Sequence, residues 1–127
     1  LGLSYKPNTD VVEESPGLYL ASALAAHGVD VVAYDPASMP NARRAVGDSI
    51  AFADSADEAI QAADVVVIAT PWQEFTSIPR SVWAREPRRV VIDCWRLLPA
   101  DLDARGTRYV ALGAAPPPEP SGELLQR

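Results

Sequence analysis

At 127 residues the chain is one domain's worth, and with 48% hydrophobic residues it reads as globular rather than disordered. Its formal charge of −6 excludes a dedicated nucleic-acid binder, which needs a basic face, but not a single phosphorylated ligand held by one or two local cations. One cysteine (Cys94) and one histidine (His27) exclude a disulfide framework and a self-contained metal site and fit a cytoplasmic setting; no signal peptide is visible, and no apolar run approaches the roughly 20 residues of a membrane span.

Leu1 to Tyr5 reads as the end of a first strand; with no initiating Met, the chain is expected to be a piece of a longer protein. Ser15-Pro16 predicts a helix start, with Ser at the cap and Pro at the first helical position, where its missing N–H costs nothing. Leu18, Leu20, Ala21, Leu24 and Ala25 give that helix an apolar face down to Gly28, a C′ glycine. Val29 to Tyr34 is a β-branched strand stopped by Asp35-Pro36. A loop with a short helix over 41–46 and a weak strand at Ile50-Ala51-Phe52 follow, then a helix over 56–63 capped by Asp54 or Ser55. Asp64 to Thr70 is the strongest strand signal, apolar without alternation, as expected of a parallel strand covered on both faces. Pro71 to Phe75 opens a helical turn, with another over 81–85. Arg89 to Cys94 is a further buried strand; after a short helix beyond Pro99, Tyr109 to Leu112 is the last.

This alternation predicts an α/β, three-layer, Rossmann-like domain over residues 1–112, with a mostly parallel sheet of about six strands whose first strand is truncated at the N-terminus. Residues 113–127, rich in proline, read as a linker or tail. A fold of this kind hosts many functions, so function has to be read from its loops.

The first strand-to-helix connection is the informative one. A dinucleotide site needs G-x-G-x-x-G there, because only glycine lets the backbone approach a pyrophosphate. The chain has Gly2-Leu3-Ser4-Tyr5-Lys6-Pro7 instead, so no cofactor is expected to be bound by this domain. What the loop offers is a point charge at Lys6, suited to a phosphate or sugar oxygen, and an aromatic face and hydroxyl at Tyr5. Thr9 and Asp10 can fix the loop through bonds to its backbone. From the residues alone, Lys6 is either such a contact or a solvated loop lysine.

Leu1 to Asp10, followed by Glu14-Ser15-Pro16, resembles the motif that opens the C-terminal, UDP-sugar-binding domain of the UDP-glucose/GDP-mannose dehydrogenase family, roughly aromatic-K-x-x-T-x-D-x-R-x-S-P. Ala33-Tyr34-Asp35-Pro36, the run from Ala63 to Trp72, and Val91 to Arg96 support the likeness at comparable spacing. The resemblance implies an NAD-dependent nucleotide-sugar 6-dehydrogenase that oxidises the C6 alcohol of a UDP-sugar or GDP-mannose to a uronate in two hydride transfers. It further implies that NAD binds an N-terminal domain, and that a central helical domain supplies the catalytic cysteine and the dimer contact of a homo-oligomer. The domain in hand would close over the UDP-sugar or GDP-sugar, with Tyr5, Lys6, Thr9 and Arg96 as its substrate-binding residues and no catalytic residue of its own.

Two departures stand out. Where the motif has an aspartate and then an arginine, this chain has Val11 and Glu13, and near the fifth strand Trp95 precedes Arg96 where the family has arginine at one position or the other. They imply altered substrate choice or reduced activity, and they keep open an alternative: a catalytically silent interaction or regulatory module on the same fold. Cys94, beside Asp93 at a strand end, reads as structural, with its thiol pKa raised. Asp35 and Asp93 read as caps for neighbouring loops or as ligand contacts, Trp72 as packing over the sheet's edge, and His27 as structural.

Overall fold

The computed structural model describes residues 1–104 and 106–113; beyond Gly113, the proline-rich segment expected over 113–127 lies outside the described residues. Helix α1 (Pro16–Ala26) starts as its sequence dictates, with the Ser15 hydroxyl accepting the Leu18 N–H at 3.2 Å. It ends at His27, whose Nδ1 meets the Ala23 carbonyl at 2.8 Å, and at Gly28 with φ +82°. Gly17, Leu18 and Ala21 are its buried face, while Leu20, expected inward, is 37% exposed because it lies outside that arc. Ser15→Ala is expected to cost about 1 kcal/mol of stability by removing the cap. Urea denaturation checks this, and an unchanged midpoint would count against it.

The remaining elements follow in chain order. They are β1 (Val32–Ala33), α2 (Met39–Val46), β2 (Ala51–Phe52), α3 (Ala56–Gln61), β3 (Val65–Ile68), α4 (Arg80–Trp83), β4 (Arg89–Asp93) and β5 (Thr107–Ala111). Short 3-10 turns occupy Gly47–Ser49, Gln73–Ser77 and Ala100–Leu102. Ser55 caps α3, its hydroxyl accepting the Glu58 N–H at 3.1 Å. The strand expected over 29–34 shortens to two residues at its amino end, where the Val29 N–H turns back to the Leu24 carbonyl at 3.1 Å to close α1.

All strand pairs are parallel: β1 with β2, and β3 with β4 and β4 with β5. Five strands thus form a two-stranded and a three-stranded sheet. The Leu1–Leu3 stub joins them. Leu1 N donates to the Val67 carbonyl at 2.7 Å and its own carbonyl accepts from Ala69 N at 2.8 Å, while Gly2 N donates to the Tyr34 carbonyl at 2.9 Å. The spatial order is therefore β2, β1, stub, β3, β4, β5, the doubly wound arrangement, with the stub in place of the sixth strand.

Each face has its own core. Small residues (Ala21, Ala33, Ala42) with Leu3, Leu18 and Ile50 let α1 and α2 approach one half of the sheet. Larger ones (Ile60, Phe75, Trp83, Val91) fill the face under α3 and α4. Arg89, 2% exposed, crosses the second layer and donates to the carbonyls of Ala63, Val82 and Trp83 at 3.0, 3.0 and 2.7 Å; burial lowers its pKa. Strand β3 departs from expectation: Val66 and Ile68 are buried, but Val65 is 51% exposed on the opposite face. On that face Val110 of β5 is exposed too, and α1 meets Ala69 just beyond the end of β3. No described helix is long and apolar enough to cross a membrane.

Candidate functional site

In a doubly wound sheet the crevice opens at the carboxyl edge, where strand order reverses. Here that point lies between the stub and β3. Close packing builds it: a Cβ on Gly17 would lie 2.3 Å from the Gly2 carbonyl oxygen, and one on Gly2 (φ +95°) would lie 2.5 Å from Thr70 Cβ. Helix α1 therefore rests directly on the stub, as in a dinucleotide fold, but fourteen residues separate the two glycines and most of them form the loop.

Asp35, fully buried at the end of β1, organises the edge. Its Oδ2 accepts Leu3 N, Ser4 N and Trp72 Nε1 at 2.7, 2.9 and 3.0 Å. Its Oδ1 accepts Ser4 Oγ, Ala37 N and Ser38 N, each at 2.9 Å. Burial alone pushes the Asp35 carboxyl up, but the N–H groups of Ala37, Leu3, Ser4 and Ser38 outweigh it and hold the pKa below the usual value. Thr70 adds a bond from its hydroxyl to the Ser4 carbonyl at 2.9 Å. The loop's first residues, the α2 start and the β3 exit are thus fastened to one carboxylate. Trp72, expected over the sheet's edge, is nine-tenths buried in the core with its indole N–H on Asp35.

The loop itself is exposed at its tip. Tyr5 is 53% exposed and Lys6 is exposed. Thr9 Oγ1 accepts the Val11 N–H at 3.3 Å, the local bond expected of it. The Tyr5 N–H donates to the Val11 carbonyl at 2.7 Å, closing the loop's neck, and Asn8 at φ +63° turns its tip. Among the described residues Val11 and Glu13 form no ion pair; backbone bonds and the side chains of Thr9 and Asn41 order this loop.

On the loop after β4, Asp93 Oδ1 accepts Trp95 N at 3.0 Å, and Oδ2 accepts Leu98 N and the Tyr109 hydroxyl, both at 2.8 Å. Burial and the bond to Asp93 push the Tyr109 pKa up. This turn presents Arg96, exposed at φ +53°, with its guanidinium beside Gly113. Trp95, 57% exposed, donates its indole N–H to the Ala69 carbonyl at 2.9 Å, so its ring stands over the exit of β3. Tyr5, Lys6 and Arg96 come to the same edge of the sheet; β3 lies between their strands and they make no hydrogen bond with one another. Asp35 caps neighbouring loops as its place at a strand end suggests; its link to Trp72 and the placement of Trp95 are not read from sequence, where Asp35-Pro36 and Thr70-Pro71-Trp72 are the available signals.

Neither Asp35 nor Asp93 is a free acid, since both carboxylate oxygens of each are occupied. The Cys94 thiol pKa is raised by burial and then by the Asp93 charge, the direction expected for a structural cysteine. Among the described residues, no three His, Cys, Asp or Glu side chains gather as metal ligands.

Against known proteins, residues 1–100 match the UDP-glucose/GDP-mannose dehydrogenase family, UDP binding domain. The UDP-glucose 6-dehydrogenase AglM of Haloferax volcanii is 41% identical over 98 residues, 77% of this chain and 22% of that protein. A UDP-glucose 6-dehydrogenase of Rickettsia bellii is 30% identical over 117 residues, 90% of this chain and 27% of that one. The structure of a UDP-glucose dehydrogenase from Pyrobaculum islandicum superposes with a TM-score of 0.72 at 31% identity, covering 90% of this chain and 24% of that chain. The chain thus spans about a quarter of the length of these relatives. With the doubly wound order, the long first loop and the Tyr5-Lys6 pair at its tip already in place, the chain belongs to the UDP-glucose/GDP-mannose dehydrogenase family, matching its UDP binding domain.

Proposed function

We propose that residues 1–112 bind the nucleotide-sugar in an NAD-dependent nucleotide-sugar 6-dehydrogenase, which oxidises the C6 alcohol of a UDP-sugar to a uronate. One observation carries the reading: an exposed lysine and an exposed tyrosine stand on a loop whose base is anchored to a buried carboxylate. Such a scaffold holds a cation where a diphosphate or sugar oxygen can reach it, with an aromatic face beside it. Lys6 supplies the charge, Tyr5 the ring or hydroxyl, Thr9 the local ordering, and Arg96 a second cation from across β3. Residues 113–127, rich in proline, serve this domain as a tail or linker.

The residues present do not fit NAD itself. The glycine fingerprint is absent, and the acid at the end of β1, which in a dinucleotide site takes the ribose hydroxyls, has both oxygens committed to protein donors. In this reading the cofactor, the reactive cysteine and the dimer contact belong to other domains of a cytoplasmic parent enzyme, and this chain binds and orients.

Calorimetric titration of UDP, UDP-glucose, GDP-mannose and NAD against the chain tests this. A UDP-sugar is expected to bind and NAD not to; tighter binding of NAD than of any nucleotide-sugar would sink the reading. Lys6→Ala is expected to lose about 1–3 kcal/mol of nucleotide-sugar affinity, the range for a charge-assisted hydrogen bond. Unchanged affinity would remove Lys6 from the site. No binding of any nucleotide-sugar, together with stable self-association, would favour the silent interaction module instead.

A further inference from the structure

Resting on the reading of the 5–14 loop as the ligand loop, we infer that Asn41 is a positioning residue for that loop, acting from a different helix. Its Nδ2 donates to the Asp10 carbonyl at 2.8 Å, and among the described residues this is the only hydrogen bond from residues 6–13 to another element. The amide's orientation is set from behind, because Arg44, one turn along α2, donates its guanidinium to Asn41 Oδ1. With the oxygen occupied by a cation, the nitrogen must face the loop. The arrangement closes a ring: the Tyr5–Val11 bond pins the neck, and Asn41 pins Asp10 immediately before it. Lys6 and Asn8 lie between the two pins, so the reach of the Lys6 ammonium depends on both. Positions 11 and 13, where an opposite-charge pair would order such a loop, offer none, and a neutral amide on α2 takes over that task. Helix α2 in turn starts at the Ala37 and Ser38 N–H groups held by Asp35, so loop base and loop strut are referenced to the same buried group.

Asn41→Asp is the discriminating variant. It is isosteric, keeps a partner for Arg44, and places an acid in the first turn of α2, which a helix tolerates well. It turns the donor to Asp10 into a charged acceptor, so Asn41→Ala, which removes the donor without adding charge, is measured beside it and is expected to give the same faster loop exchange and weaker UDP binding. Hydrogen–deuterium exchange on the ligand-free chain is expected to show the loop's bonded amides, Tyr5 N–H on the Val11 carbonyl and Val11 N–H on Thr9 Oγ1, exchanging roughly 3–10-fold faster, as for loss of one hydrogen bond, with the rest of the chain unchanged. UDP affinity, titrated on the same protein, is expected to fall by a similar factor, with Arg44→Ala giving a smaller effect in both measurements. Wild-type exchange rates in the Asn41→Asp loop would overturn the inference, as would faster exchange with undiminished UDP affinity. Absence of UDP binding by the unmodified chain would overturn the ligand reading and the positioning role built on it; the exchange data, which need no ligand, distinguish that failure from failure of the strut.

Discussion

Asp35→Asn is expected to destabilise the domain by about 4 kcal/mol, the largest effect of any single isosteric change, because each carboxylate oxygen accepts three donors. An amide nitrogen at Oδ2 leaves the Leu3, Ser4 and Trp72 N–H groups facing a donor, and one at Oδ1 leaves those of Ala37 and Ser38, since the Ser4 hydroxyl can turn to accept, all inside a fully buried site. Orphaned buried donors cost roughly 1–3 kcal/mol each, so even partial relaxation leaves a loss of this order. The pH dependence has a definite sign. The folded-state pKa of Asp35 is depressed, so its ionised form contributes stability that is fully present above the unfolded value of about 3.9 and is lost as pH falls through the folded value. The gap between wild type and Asp35→Asn should therefore narrow on acidification below about pH 4. Urea denaturation at neutral and acid pH checks both parts; a loss under about 1 kcal/mol at neutral pH would mean that the cluster rearranges freely.

Gly17→Ala is expected to cost about 3 kcal/mol, because its new methyl would sit 2.3 Å from the Gly2 carbonyl oxygen and 3.0 Å from Ala69 Cβ. Neither neighbour is a flexible side-chain end, so α1 itself must slide off the stub. Gly28→Ala is the control. Unlike helical Gly17 it lies at positive φ (+82°), but a Cβ there meets nothing within 4 Å, leaving only backbone strain of about 1 kcal/mol. Thermal melts of the two variants should separate steric exclusion from strain, and equal losses would contradict the close approach of α1.

What could be read from sequence follows from how local each signal is. The caps at Ser15 and Ser55 and the alternation of strand and helix are encoded within a few residues, and they were legible. The shortness of β1 was not, since the Val29–Tyr34 run carries valine at three of six positions along its length and only its closure onto Leu24 shows where pairing begins. The open face of β3 was hidden too: an unbroken apolar run is compatible with one covered face or two, and exposure of Val65 is settled by which helices lie above it. At the site, Tyr5, Lys6 and Thr9 were visible because they are contiguous. The Asp35 cluster joins residues around positions 3, 35 and 72, and Asn41 reaches Asp10 across 31 residues, so neither leaves a local pattern.

The stub has a kinetic consequence as well. The β1–β2 pair is built from one crossover and the β3–β4–β5 sheet from two, each between strands adjacent in sequence, and the two can form early and separately. Joining them requires Leu1 to find Val67, 66 residues away, and three backbone bonds of Leu1 and Gly2 carry the seam. Long-range closures of this kind are entropically expensive until their contacts form, which makes zipping of the stub between two preformed half-sheets a natural late step. The loop bearing Lys6 emerges directly from that seam, so the ligand edge takes shape only when folding is nearly complete.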